Sequence, residues 1–357
     1  MDISASAALE EEVEGLGAFA ERTFLDGTLA DWTSRTPQVV VPPGTIASKK
    51  AVAAALAAAR ARGGDIRAVP RGSVSSPGAA IFACVDGAPT TLERIAAAPV
   101  VEFDAEEREL PELAGERLRV ADAWVFHVEH WSDLLWANLL AMGPWLWAEL
   151  ATPWRLALST LSARSVRPEA VAGGLVRRGA DAWVHPHATV EFSVLGAGVR
   201  IGAGAVVRGS ILGAGAIVED LALVEGCVVG VGARIQRQAM AKYSVLEAGS
   251  AHAGVVQLGV LGAGAQVRQG AVLFDQSLGE PVRVLRRGVL SPSPRGMIGV
   301  CIGKNSIIAQ GVRVAAGRAI PAGLVVLPAA GAVLSNPAVP VGTRRARVAT
   351  GRLEPLS

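Results

Sequence analysis

Aliphatic residues in the second half of the chain recur at every sixth position. Leu195-Gly196, Ile201-Gly202 and Val207 open the series, Val218 and Val224 follow, and Val229-Gly230 and Ile235 continue it. It resumes at Leu261-Gly262, Val267 and Leu273, and again at Ile302-Gly303, Ile308, Val314 and Ile320. Strands of an ordinary β-sandwich do not repeat every six residues. A short strand and a tight turn, repeated three times, close one triangular coil of about 18 residues. The aliphatic side chain points into the prism on each face, and glycine or another small residue supplies the corner dihedrals. Stacked coils pair as parallel strands around one aliphatic core. Steps of five, such as Val224 to Val229, read as turn variations. The pattern predicts a parallel β-helix over residues 184–327.

The period fails once, over FDQSLGEPVRVLRRGVLSPSPRG (274–296), which is rich in Pro, Gly and Arg. That segment reads as a loop ejected from the helix, of the kind that covers a site or reaches a neighbouring subunit. Residues 328–357 read as a tail.

The N-terminal residues 1–130 follow other rules. VVVPP (39–43) and AAIFACVDG (79–87) read as buried strands, and SKKAVAAALAAARARGG (48–64) as an Ala-rich helix ended by Gly-Gly. Strand–helix–strand order implies an α/β domain. A strand and a Trp-rich helix follow in 119–150, and residues 131–183 read as a helical connector. Its stretch LLWANLLAMGPWLWA (134–148) is broken by Gly143-Pro144 and is too short to span a bilayer.

Composition adds limits. The 41 glycines, many at regular spacing, fit a repeat and not a disordered chain. A net charge of +2 does not suggest a nucleic-acid binder, but residues 1–130 carry 20 acidic and 12 basic side chains whereas 166–357 carry 10 and 20. A basic C-terminal half suits an anionic small ligand. Cys84, Cys227 and Cys301 lie far apart in apolar contexts and read as buried hydrophobes of a reducing compartment. The acidic start MDISASAALEEEVEG has no signal-peptide pattern, so a cytoplasmic protein is expected, with no membrane association. His185 and His187 in WVHPHATVEF mark the first coil; their spacing with His252 does not fit a three-histidine zinc site, and no metal site is expected.

Two stretches carry a resemblance. RIQRQAMAKYSVLEAGSAHAGVVQLGVLGAGAQV places Lys242, then Gly249-Ser250, then His252 before a glycine-led coil. FHVEHWSDLLWANLLAM has a strand leading into a helix with Leu and Ala-Asn. With the domain order, these resemble the sugar-phosphate nucleotidyltransferase and hexapeptide acyltransferase family, typified by bifunctional N-acetylglucosamine-1-phosphate uridyltransferase/glucosamine-1-phosphate acetyltransferases. The resemblance implies a degenerate nucleotidyltransferase-like α/β N-terminal domain followed by a left-handed parallel β-helix of hexapeptide repeats.

The resemblance implies acetyl transfer from acetyl-CoA to an amino-sugar phosphate, in a homotrimer with sites between subunits. His252 would be the general base, since a neutral imidazole can take the proton of the attacking amine near pH 7. Lys242 and Arg237 would hold the sugar phosphate, with Asp275 in the substrate site. The late coils would hold coenzyme A: Ser306, Ala315 and Ala316 leave room for pantetheine, and Arg318 meets a phosphate. Val255 stands where the family has tyrosine, and Leu273-Phe274-Asp275-Gln276 where it has Asn-Tyr-Asp-Gly. GLGAFAERTFLDG (15–27), with Arg22, is the trace of a nucleotide-binding loop. The alternatives are a Mg2+-dependent sugar-1-phosphate nucleotidyltransferase or sugar-nucleotide binder that uses the N-terminal domain, and a non-catalytic trimeric scaffold.

Overall fold

The computed structural model describes residues 12–13, 16–18, 21–28, 35–36, 38–42, 44–72, 74–77, 79–85, 92–109, 119–277, 280–293, 296–329 and 333–356. The chain divides into two compact units: residues 1–13, 18–129 and 136–145, and residues 14–17, 130–135 and 146–357.

In the first unit a mixed sheet runs in the order Val100–Asp104, Ile66–Arg71, Ile81–Ala83, Val39–Val40, Arg35–Thr36. Only the first pair is parallel. The helix Lys49–Arg62 starts where the Ser48 hydroxyl accepts the Ala51 N–H and stops at Gly63, whose φ of 73° few other residues adopt. Ala51, Ala55 and Ala59 form its buried stripe. Both expected strands and the expected helix are present, the strands shorter than read.

The second unit is a parallel β-solenoid. Three sheets of eight, ten and eight strands stack coil on coil. The coils begin at Val176–Arg178 and reach Arg345–Ala349, so they extend past both ends of 184–327. What reads as a tail in the sequence adds strands Val333–Leu334 and Arg345–Ala349, and Arg352–Pro355 then pairs antiparallel as the last strand. The early coils hold 17 residues, not 18: Val194 pairs with Ile211, Ile211 with Val228 and Val228 with Val245. Each of these early coils takes steps of six, six and five between inward side chains, whereas the coil from Ile302 through Ile308 and Val314 to Ile320 takes three steps of six. Its core is one continuous aliphatic column from Leu195 to Leu353.

The connector is three helices, Trp131–Leu150, Pro153–Ala163 and Pro168–Gly173. Helix Trp131–Leu150 runs through Gly143-Pro144, so the expected break there does not occur. His130 caps it: Ser132 N–H donates to His130 Nδ1 (3.2 Å), and His130 N–H donates to Asp133 (3.1 Å). Among the described residues no helix is long and apolar enough to cross a membrane.

The ejected segment contains a hairpin, Arg283–Arg286 against Val289–Pro292. Its two turn residues, Arg287 (φ 49°) and Gly288 (φ 77°), both have the positive φ of a tight hairpin turn. Val282 and Val284 are buried. The outer end is tied to the helix start: His130 Nε2–H donates to the Leu285 carbonyl (3.1 Å), and Arg286 pairs with Asp133. Gly317 lets the hairpin lie close on the late coils, because a Cβ there would sit 2.3 Å from the Arg283 carbonyl.

Candidate functional site

The second face of the solenoid stacks Ile201, Val218, Ile235, His252, Val267, Ile308, Val326 and Ala346 in register. His252 therefore occupies an inward rung, between Ile235 and Val267. Its exposure is 0%. Nε2 lies 3.1 Å from the Met240 carbonyl, which only accepts, so Nε2 carries the proton. Among the described residues Nδ1 has no partner, and neither has the hydroxyl of Ser250, two positions before it. Burial lowers the imidazole pKa to about 4.

The local backbone explains the ring. Ile235 and His252 are 17 residues apart, but on the next face Ala241 and Val256 are only 15 apart. Two residues are missing from the corner after His252, and the ring reaches across it to Met240. Gly254 closes the shortened corner; a Cβ there would lie 2.4 Å from the Ala271 carbonyl. The geometry corrects the general-base role. A ring inside the prism cannot reach an amine outside it.

The expected phosphate clamp is also taken apart. The third face carries an outward ladder Glu191, Arg208, Glu225, Lys242, Gln257 in register. Arg208 pairs with Glu191 at 2.7 Å and Lys242 with Glu225 at 3.0 Å. Tyr243 hydroxyl also reaches Glu225 at 3.4 Å, and burial pushes its pKa up to about 12. Arg237 is exposed and pairs with Asp220 at 3.2 Å. Lys242 and Arg237 are rungs of charge ladders, not a free cationic pair.

Cys227 belongs to a buried polar ladder with Ser193, Ser210 and Ser244, 17 residues apart. Ser210 N–H donates to Ser193 Oγ and Cys227 N–H to Ser210 Oγ, both at 3.1 Å. Burial lifts the Cys227 thiol pKa to about 12, which removes it as a nucleophile.

The late coils do form a cleft. It holds about 250 Å³ between the solenoid and the ejected segment, with Phe274, Glu280, Arg283, Ala315, Ala316 and Arg318 in its wall. Three of the four expected coenzyme-binding residues thus meet. Ser306 does not join them: it is buried, donates to the Pro321 carbonyl (2.6 Å) and accepts from Leu324 N–H (3.2 Å). Arg318 also lines a second cavity of about 480 Å³ with Trp131, Leu285, Leu290 and Ile320.

Arg318 Nε donates to Ser335 O (2.5 Å), and Nη1 donates to Arg283 O (3.0 Å) and Ala316 O (3.3 Å). No carboxylate pairs with it among the described residues, and burial lowers its pKa. Asp275 sits between Phe274 and Gln276 at the base of the segment. Its Oδ2 is buried without a partner among the described residues, and burial raises its pKa.

Arg22 belongs to the first unit. Its side chain is 1% exposed and contacts Glu21 at 3.3 Å. A buried guanidinium does not present itself to a triphosphate, which corrects its nucleotide-binding role. Gly15, Phe19 and Ala20 of the expected loop lie outside the described residues. His127 bonds Thr45 (3.1 Å) and Glu129 (2.6 Å). Among the described residues no group of three or more His, Cys, Asp and Glu side chains converges as a metal site.

Compared with known proteins, the chain matches no protein-family model and no curated protein.

Proposed function

We propose that the C-terminal coils bind a phosphorylated ligand of the coenzyme A type, in a solenoid whose His252 is a structural rung and not a base. Arg318 carries the reading. It is a half-buried cation with no carboxylate among the described residues, and it stands in the wall of the cleft that Ala315 and Ala316 keep narrow-sided. A desolvated charge without a counter-ion favours an anion. Arg283 adds a second cation against the one acid, Glu280. Two alanines fit a thin pantetheine arm against the backbone. When bound, such a ligand supplies a thioester; the chain's own residues hold its phosphate and its arm.

A second reading, acyl transfer, rests on Asp275. Its Oδ2 has no partner among the described residues and its pKa is raised, as suits a proton acceptor, and its chain neighbours Phe274 and Gln276 line the cleft. The acceptor would be an amino-sugar phosphate or a similar amine, in the homotrimer common to hexapeptide solenoids.

Calorimetric titration of the full chain with acetyl-CoA and coenzyme A tests the binding, with Arg318→Ala as control. Binding that the variant weakens at least about tenfold supports it; no heat from either ligand leaves the scaffold reading. Thiol release over a panel of amines, in wild type and Asp275→Asn, tests the second reading. Turnover that Asp275→Asn abolishes and His252→Leu keeps is the expected pattern.

A further inference from the structure

Helix Pro153–Ala163 is inside out. Trp154, Leu158 and Leu161 follow the i, i+4, i+7 rule of one helix face, yet they are 59%, 57% and 74% exposed. The opposite face carries Leu156, which is half-buried, beside Ser159 and Thr160. Ser159 is buried there and donates to the Val171 carbonyl (2.6 Å). A helix that packs by Leu156 and Ser159 and shows Trp154, Leu158 and Leu161 keeps an unpartnered apolar stripe. Val166, just past the helix end, is exposed as well.

Cations border the stripe. Residues 146–180 hold five arginines against two carboxylates, Glu149 and Glu169. Glu149 is taken up by Arg177 at 2.8 Å. Arg155 stacks over the Trp154 ring, 5.0 Å from its centroid. Arg164, Arg167 and Arg178 are exposed. A groove of about 290 Å³ adjoins the stripe, with Arg155, Arg177 and Arg178 in its wall beside Trp154 and Leu158. The apolar face and the guanidinium groove are therefore contiguous.

We propose that this face docks on an anionic lipid bilayer. Trp154, Leu158 and Leu161 enter the interfacial layer, and lipid phosphates meet the arginines of the groove. This is the amphipathic pattern of helices that lie in the membrane surface, with tryptophan at headgroup level and arginine toward the phosphates. Charge selects this occupant over a second copy, because a two-fold contact would set the same arginines against each other. The site is separate from the Arg318 cleft, and the protein would lie on the membrane without crossing it.

Co-sedimentation of the full chain with vesicles tests the proposal. One set is phosphatidylcholine alone, the other phosphatidylcholine with phosphatidylserine. The expected result is binding to the anionic vesicles only, weakened by salt. The double variant Leu158→Ser/Leu161→Ser should lose at least about tenfold in binding. Its thermal unfolding should match wild type, because both side chains are exposed. Arg167→Glu/Arg178→Glu should also bind less and lose the salt response. No binding to either vesicle overturns the proposal, as does equal binding of wild type and the serine variant. A wild-type oligomer that the serine variant breaks up, read by light scattering, would make the face a contact between copies instead.

Discussion

Ile235 and His252 are register partners on the inward side of the solenoid, so an imidazole fills a place that aliphatic side chains fill in the neighbouring coils. Its worth is then packing plus one hydrogen bond to Met240. His252→Ala should cost about 2–4 kcal/mol, from the cavity and the orphaned carbonyl. His252→Leu keeps most of the volume and should stay within about 1.5 kcal/mol. Urea unfolding of the three proteins gives both numbers.

The same burial sets an acid limit. The folded imidazole has a pKa of about 4 against an ordinary value of 6.5. Between those values the unfolded chain binds a proton that the folded chain refuses, so stability falls as pH drops from 6.5 to 4 and is flat on either side. At about 1.4 kcal/mol per unit the loss is about 3 kcal/mol. His130, lowered to about 4 by burial and then by Arg286, adds to the same limb. His252→Leu should remove one of the two contributions, visible as a shallower fall of Tm on acidification.

Lys242 and Glu225 form one half-exposed rung of a charge ladder. Lys242→Ala should change stability by less than about 1 kcal/mol and leave coenzyme A affinity unchanged. A loss of more than about 2 kcal/mol on urea unfolding would contradict a half-exposed rung.

Gly317 has φ 73°, and a Cβ there would meet the Arg283 carbonyl at 2.3 Å. Gly317→Ala should cost at least about 1–2 kcal/mol and free the hairpin from the late coils. Limited trypsin digestion should then cut at Arg286-Arg287 faster than in wild type.

The solenoid was legible in the sequence because its period is a backbone constraint that each aliphatic rung repeats. The role of His252 was legible too, by arithmetic: in steps of six, six and five from Val229, the rungs are Ile235, Ala241, Leu246 and then His252. The local run Gly249-Ser250-Ala251-His252 suggests a base, whereas the count of rungs places the ring inside. The partners of Lys242 and Arg237 were hidden, because Glu225 and Asp220 meet them only through a register of 17 residues. The late strands Val333–Leu334 and Arg345–Ala349 were missed because long corners break the six-residue rhythm. Nothing in the sequence marked His130 as the cap that also holds the hairpin, since Leu285 lies 155 residues away. Helix Pro153–Ala163 lies within the helical connector that the sequence implies, but which of its faces packs is set by its contact with Val171 and not by its own pattern.

The most direct test of His252 as a structural rung is its imidazole titration by long-range 1H–15N NMR, assigned by comparison with His252→Leu. The account predicts a neutral ring with the proton on Nε2 from neutral pH down to about pH 5, charging only near pH 4. A ring that titrates near 6.5 would be open to solvent and substrate, and would restore it as a general base.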